Sequence, residues 1–208
     1  LQNRLQSVIF NPVLVTIVVI IGFLKLTGLS YDTYARSGHM IEFWLKPAIV
    51  ALGVPLYSQL RAIRRQFMPI LVSQLAGGVT GVVSVVLLAR LLGASDDVII
   101  SLAPKSVTSP IAIEITSQLG GIPALTGAIV VCVGLIGAIA GMKILYLGHI
   151  SSPIAQGISM GTAAHVIGTS RITQLGERYG AYATVGLILN GVLTALLAQP
   201  LLSLLGII

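Results

Sequence analysis

The chain has 208 residues, of which 55% are hydrophobic and only 9% are charged. Soluble domains carry roughly 25% charged residues, so this composition excludes an ordinary soluble domain. The formal net charge is +6, but the basic residues lie at the ends of apolar runs and do not alternate with aromatic residues. That distribution is typical of charges that orient helices in a bilayer, and it argues against nucleic-acid binding.

Long apolar runs predict an all-α, polytopic transmembrane helical bundle. A spanning helix needs about 20 mostly apolar residues, because the hydrocarbon layer is about 30 Å thick. The predicted ordinary spans, in chain order, are residues 8–29, 44–60, 68–89, 122–141 and 182–205. The short loop after the second of them carries Arg61, Arg64 and Arg65, so the positive-inside rule places this loop on the cytoplasmic side.

The segment 97–119 is too polar and too rich in proline for an ordinary span. Pro104 and Pro110 each remove an amide donor and disfavour helix. Non-helical backbone at membrane depth is tolerated only inside protein or beside water. The segment is therefore predicted to be interrupted or re-entrant and to place its polar side chains at a solute site: Lys105, Ser106, Thr108 and Ser109.

The segment 151–175 is the second irregular one. Gly161 would permit close backbone approach, and Arg171 offers a fork that matches a carboxylate. Further neutral contacts are predicted from Thr162, His165 and Thr169. Alternatives stay open here, since Lys105 and Arg171 either face the site or extend to the interface, and His165 either packs through a hydrogen bond or titrates.

Basic groups outnumber acidic ones around both irregular segments, which predicts a small anionic solute. Glu114 lies within the apolar part of the first segment, as either a proton carrier or a partner for a basic residue. The histidines are far apart, Cys132 is the single cysteine, and no nucleophile has a plausible base. No catalytic residue, cofactor or metal site is therefore predicted, and an enzyme is the least favoured class.

The two irregular segments also align with each other when the chain is shifted by 56 positions, which sets Gln118-Leu119-Gly120 on Gln174-Leu175-Gly176. This favours an internal repeat, which would be inverted if both segments re-enter. Re-entry would also bring Lys143, Arg171 and Arg178 to the side of Arg61–Arg65. Two sets of glycines predict either a dimer interface or internal packing: Gly77 and Gly81, and the seven-residue series Gly120, Gly127, Gly134 and Gly141.

Three motifs give the sequence a family resemblance. They are Ala-Pro-Lys-Ser-Val-Thr-Ser-Pro-Ile-Ala at 103–112, Gly-Gly-Ile-Pro-Ala at 120–124 and Gly-Thr-Ala-Ala-His-Val-Ile-Gly-Thr-Ser-Arg at 161–171. The chain resembles the LrgB/CidB/YohK family of bacterial membrane proteins, which shares a domain with the plastidal glycolate/glycerate translocator. Ala164 and Ser170 depart from the usual Ser and Ala. Further matching positions imply gating or supporting roles for Asn11, Pro12, Pro55, Tyr57, Pro104 and Pro110.

The resemblance implies a single domain over residues 1–208, with a further helix expected before residue 1. It implies transport of small monocarboxylates such as glycolate, glycerate or pyruvate, which we expect to occur by a rocking or elevator-like movement in a homodimer or higher oligomer. The expected location is the bacterial inner membrane, or the plastid inner envelope in a plant. The same family carries an antiholin-like label, linked to murein hydrolase and autolysis, which implies a pore or a small LrgA/CidA-like membrane partner. We favour transport.

Overall fold

The computed structural model describes residues 12–30 and 66–208, together with short stretches and single positions between 33 and 64. Within these residues every regular element is an α-helix. Three of the described helices are long and apolar enough to cross a membrane. The predicted all-α class is confirmed, and the chain has the elements of a multi-pass membrane protein.

The chain divides into two compact units, residues 1–50 and 51–208. In the first unit, helix α1 runs over Pro12–Thr27, and its 16 residues are fewer than the predicted span 8–29. Gly28 follows with φ +67, a backbone conformation that ends the helix and suits glycine. The predicted span 44–60 falls outside the described residues apart from single positions.

In the second unit, three long helices are confirmed close to their predicted bounds: α2 at Phe67–Leu91, α5 at Pro123–Leu147 and α7 at Glu177–Leu204. Between α2 and α5 lie two short helices, α3 at Asp96–Leu102 and α4 at Ser109–Leu119. Between α5 and α7 lies α6 at Pro153–Thr173. These short helices correspond to the two segments that the sequence marked as irregular.

Apolar contacts fix the direction of α2 relative to α7. Ile70, near the start of α2, shares a buried cluster with Val185 in the first half of α7. Val86, near the end of α2, shares another cluster with Leu202 near the end of α7. The two helices therefore run in the same direction, with their beginnings at one end of the unit.

Helices α3 and α4 fold back on each other. The hydroxyl of Thr126 donates to the Ser101 carbonyl at 3.0 Å and lies 2.9 Å from the hydroxyl of Thr116. The backbone amide of Ile122 donates to Ser101 Oγ at 2.7 Å. The end of α3 and the middle of α4 thus meet at one point of α5, and the break at 103–108 forms the tip. We call residues 96–119 the first hairpin.

Helix α6 also reverses its direction. Ala164 has φ −124 and ψ 16, and His165 has φ 41 and ψ −135, so the helix is interrupted there. Met160 and Ile172 share one buried cluster on either side of the interruption. A Cβ built at Gly168 would lie 2.7 Å from the Met160 carbonyl oxygen, which is impossible for a straight helix. We call α6 the second hairpin; its limbs are residues 153–163 and 166–173.

The element bounds repeat along the chain. Helix α5 begins at 123, which is 56 residues beyond the start of α2 at 67, and it ends at 147, again 56 beyond 91. Each of these helices is followed by one hairpin and then by another long helix. The 56-residue shift seen in the sequence therefore relates elements of the same kind.

Most of the glycine series predicted on one helix face serves contacts inside the chain. A Cβ at Gly134 would lie 2.6 Å from His165, and one at Gly141 would lie 2.5 Å from Met160 Sδ, so both glycines admit the second hairpin. Gly127 faces Ile113 of α4. The placement of Gly120 on the same helix is wrong, because this residue caps α4 in a left-handed conformation with φ +85.

Candidate functional site

A cavity of about 290 Å³ lies where the two hairpin tips meet α2 and α7. One wall is a surface of α2 without side chains, formed by Gly77, Gly78 and Gly81. The opposing polar groups come from both hairpins and from α7: Lys105, Ser106, Ser159, Thr162, Asn190 and Thr194. Ligand pockets of drug size begin at roughly 300 Å³, so this cavity suits a small solute.

Lys105 is the only charged residue among the described residues of the cavity wall. Its Nζ donates to the carbonyl oxygen of Gly81 at 2.7 Å. A Cβ at Gly81 would lie 4.0 Å from that Nζ, so the glycine leaves open space beside the ammonium group. No described carboxylate lines the cavity, and the ammonium group is free of ion pairs with the described residues. An anion entering here would meet one full positive charge.

Asn190 joins the two hairpins through a single amide group. Its Nδ2 donates to the Ser106 carbonyl of the first hairpin and to the Thr162 carbonyl of the second, each at 3.1 Å. Two carbonyl acceptors require a donor at this position, which fixes the orientation of the amide. Its Oδ1 is buried, has no hydrogen-bond partner among the described residues, and lies 3.4 Å from a Cβ built at Gly78. A buried unpaired acceptor is costly, so this atom is suited to a donor supplied by water or solute.

Gln74 ties the second hairpin to α2. Its Nε2 donates to Thr162 Oγ1 at 2.6 Å, and that hydroxyl donates in turn to the Ile158 carbonyl at 2.7 Å. Gln74 is fully buried, and its Oε1 has no partner. Thr162 thus receives hydrogen bonds from both long helices, and this part of the hairpin is held on two sides.

Three of the predicted solute-binding residues line the cavity, namely Lys105, Ser106 and Thr162. Thr108 and Ser109 begin α4 and lie outside the cavity wall, and the buried Oγ1 of Thr108 has no partner. Gly161 lies against the Ala183 carbonyl of α7, where its lack of a side chain permits contact between the two backbones.

The other predicted binding residues occupy the second hairpin away from the cavity. His165 is buried, and its Nε2 lies 2.8 Å from the Val130 carbonyl. Thr169 has a buried hydroxyl without a partner. Arg171 is exposed near the end of α6 and donates to Gln174 Oε1 at 2.8 Å. Arg171 thus lies outside the wall of this cavity, and its contact with solute stays a prediction.

The predicted gating and supporting residues are spread along the chain. Pro104 is buried in the tip of the first hairpin, and Pro110 occupies the first turn of α4. Glu114 is exposed and accepts a hydrogen bond from Gln118 at 3.0 Å, and within the described residues it forms no ion pair with a basic residue. Tyr57 is exposed and Pro12 begins α1, whereas Asn11 and Pro55 lie outside the described residues. Gating roles for these residues stay predictions.

Sequence reasoning missed Gln74 and Asn190. Each is a single amide side chain within a long apolar run, and polar residues at such positions are expensive unless they pair or serve a function. That rule could have identified both. The glycines at 77 and 81 were recognised as unusual, but they were assigned to helix packing and not to the wall of a cavity.

Comparison with known proteins gives a family match and three similar relatives. A model of the LrgB-like family matches residues 1–204. The holin-like protein CidB of Staphylococcus epidermidis is 34% identical over 202 residues, which cover 97% of this chain and 88% of that protein. An uncharacterized protein of Haemophilus influenzae is 36% identical over 198 residues, and protein YwbG of Bacillus subtilis, also uncharacterized, is 33% identical over 201. These cover 95% and 97% of this chain and 86% and 89% of the relatives. No solved structure matches the chain.

Proposed function

Because the chain belongs to the LrgB-like family, whose motifs form both hairpin tips here, we propose that it transports a small monocarboxylate such as glycolate, glycerate or pyruvate across the bacterial inner membrane. The single observation that carries this proposal is the cavity at the meeting point of the tips, in which Lys105 is the only charged residue among the described lining residues. A carboxylate in this cavity would gain a charge-assisted hydrogen bond from the Lys105 ammonium.

In the proposed topology both hairpins re-enter the membrane from opposite sides. The end of α2, with Arg90, and the beginning of α3, with Asp96 and Asp97, lie on one side. The other side receives Lys143, Arg171, Arg178 and Glu177, at the beginning of α7 and the neighbouring ends of α5 and α6. The second side has more basic than acidic residues, as expected for a cytoplasmic surface.

This topology makes the 56-residue repeat an inverted one. A re-entrant hairpin begins and ends on the same side of the membrane, so a unit of one spanning helix and one hairpin crosses the membrane once. The next unit therefore starts on the other side and has the opposite orientation. Inverted repeats that meet near the bilayer midplane are common in secondary transporters. The proposed mechanism is alternating access, in which the tips expose the cavity to one side at a time.

A second candidate is a holin-like function, and it is supported by the similarity to the holin-like protein CidB of Staphylococcus epidermidis. Such a protein would form a pore or act through a small membrane partner in the control of murein hydrolases. The second candidate needs a continuous polar path and not a charged pocket. Oligomerisation and a partner of this kind stay predictions under either candidate.

The two candidates are separated by transport into proteoliposomes. We expect saturable uptake of labelled glycolate or pyruvate, with a trapped dye of larger size retained. The variant Lys105→Gln should reduce uptake by about 10-fold or more, since a charge-assisted contact is worth roughly 1.5–3 kcal/mol. Lys143→Gln is the matched control, because Lys143 is exposed on α5 away from the cavity.

Release of the dye without saturable acid uptake would favour the holin-like candidate and would contradict transport. Equal uptake by the Lys105→Gln and Lys143→Gln proteins would contradict the proposal that the cavity binds the acid. Both variants need a thermal unfolding curve in detergent, so that a loss of uptake is compared between folded proteins.

A further inference from the structure

Lys105 is a cation without a charged neighbour among the described residues of the cavity wall. No other described lining residue is charged, and the ammonium has one described backbone acceptor, the Gly81 carbonyl. The charged side chains on the surrounding described helices are all exposed and outside the wall: Arg90 on α2, Asp96 and Asp97 on α3, Glu114 on α4, Lys143 on α5, Arg171 on α6, and Glu177 and Arg178 on α7. The described part of the chain therefore supplies no fixed counter-charge to the ammonium group in the cavity.

An ammonium group away from bulk water is expensive unless an anion compensates it. A bound carboxylate supplies that compensation, and its departure removes it. Lysine can meet this change by releasing its proton, whereas arginine stays charged in proteins. Charge on Lys105 and occupancy of the cavity are therefore coupled.

We infer that Lys105 carries the proton that accompanies the solute, so that transport is a one-to-one symport of a carboxylate anion and a proton. The inference rests on the proposed function and adds the coupling ion and its carrier. On the entry side, the Lys105 amine takes a proton from water and the carboxylate binds the resulting ammonium. The cavity then changes sides with no net charge from this pair.

On the exit side the carboxylate leaves first, and the ammonium releases its proton to water through cleavage of one N–H bond. The neutral amine returns with the empty cavity. One carboxylate and one proton have then moved together, and the transport is electroneutral. In exchange of one anion for another, Lys105 keeps its proton throughout and no pH gradient is required.

The other titratable side chains of the hairpins are less suited to this role. His165 lies outside the cavity wall and its Nε2 is engaged with the Val130 carbonyl at 2.8 Å. Glu114 is exposed and bonded to Gln118. Neither side chain meets the solute in the cavity, so neither would change its charge state directly with occupancy.

The first test uses the unaltered protein in proteoliposomes with the membrane potential clamped by potassium and valinomycin. A gradient of about one pH unit should support an accumulation ratio of about tenfold at one-to-one stoichiometry. A membrane potential alone should give none. Accumulation driven by potential without a pH gradient would overturn electroneutral symport, and exchange of labelled for unlabelled acid without any accumulation in a pH gradient would overturn proton coupling while leaving the proposed transport intact.

The second test assigns the proton to Lys105. We expect Lys105→Arg, which keeps a positive charge but cannot release its proton, to show reduced but measurable exchange of labelled for unlabelled acid and to lose the accumulation driven by the pH gradient, from about tenfold to about one. The control Lys143→Arg should behave as the unaltered protein. Accumulation by the Lys105→Arg protein equal to that of the control would overturn the assignment.

A rescue experiment covers a Lys105→Arg protein that does not fold. In a Cys132→Ser background, Lys105→Cys should show neither uptake nor accumulation, and alkylation with bromoethylamine should restore both by supplying a primary amine at nearly the original position. Accumulation before alkylation, or exchange restored without pH-driven accumulation, would refute the assignment. Absence of any acid transport by the unaltered protein would instead contradict the proposed function itself.

Discussion

Asn190 occupies a position where one side chain satisfies two backbone carbonyls from different parts of the chain. In Asn190→Leu, a side chain of similar size leaves the carbonyls of Ser106 and Thr162 without this donor. A buried unpaired polar group costs about 1–3 kcal/mol, so we expect a lower free energy of unfolding by roughly that amount. Denaturation in detergent micelles measures the change. Gln199→Leu, on the exposed surface of the same helix, should have little effect, and an equal loss in both variants would contradict the role of the bridge.

The glycines of the second unit fall into two groups, according to whether an added Cβ would make an ordinary contact or would overlap with neighbouring atoms. At Gly77 a Cβ would lie 3.6 Å from Thr162 Cγ2, an ordinary contact within the cavity, whereas at Gly161 it would overlap the Ala183 backbone. We expect Gly77→Ala to preserve or raise stability, by up to about 1 kcal/mol from helix propensity, while it reduces acid uptake. Gly161→Ala should lower the unfolding temperature, because backbone cannot move aside as a side chain can. The idea fails if Gly77→Ala melts earlier than Gly161→Ala.

The side chain of Arg171 is suited to binding a carboxylate, but its position lies outside the cavity. Its fork suits a carboxylate, but it is exposed at the end of α6 and is bonded to Gln174. We expect Arg171→Ala to leave the apparent affinity for the acid within about fivefold, since an exposed contact outside the cavity contributes roughly 0–1 kcal/mol. Initial uptake rates over a range of acid concentrations measure this. A tenfold weaker affinity in a normally folded Arg171→Ala protein would contradict this expectation and would indicate that Arg171 binds the acid.

At the scale of elements, the interruption in α6 predicts that glycine is more stabilising than alanine at position 165, which is the reverse of their order in an ordinary helix. His165 has φ 41, a backbone conformation that favours glycine over residues with a side chain. Both His165→Gly and His165→Ala lose the contact with the Val130 carbonyl, but only glycine relieves the backbone. We expect the glycine variant to be more stable than the alanine variant by about 1 kcal/mol. In an ordinary helix the order is reversed, and Ala195→Gly in the exposed part of α7 should show that reversed order.

The elements themselves were largely predictable because their causes are local. Apolar runs at 68–89, 122–141 and 182–205 predicted α2, α5 and α7, and the prolines at 104 and 110 marked the first interruption. The second interruption has no proline and appears at Ala164 and His165, within a glycine-rich polar run. The sequence indicated that segment as irregular but not the residue at which the chain reverses.

The composition of the cavity was less predictable, since its contacts join distant parts of the chain. Gln74 reaches Thr162 across 88 residues, and Asn190 reaches Ser106 across 84. Periodicity and propensity describe neighbours along a helix and contain no information about which helices meet. Lys105, Ser106 and Thr162 were found because each lies in a polar interruption, whereas the amides on regular helices were missed for lack of such a local signal.

At the scale of the whole molecule, re-entry of the first hairpin can be separated from a full crossing. In a Cys132→Ser background, we expect Ser95→Cys and Ile122→Cys to react with a membrane-impermeant maleimide from the same side, because both hairpin ends lie together at one end of α5. Ser151→Cys and Glu177→Cys should react from the opposite side, where α6 and α7 begin. All four positions are exposed or adjacent to helix ends, so labelling does not require opening of the core. Labelling of Ser95→Cys and Ile122→Cys from opposite sides would mean that the first hairpin crosses the membrane, and the repeat would then no longer be inverted.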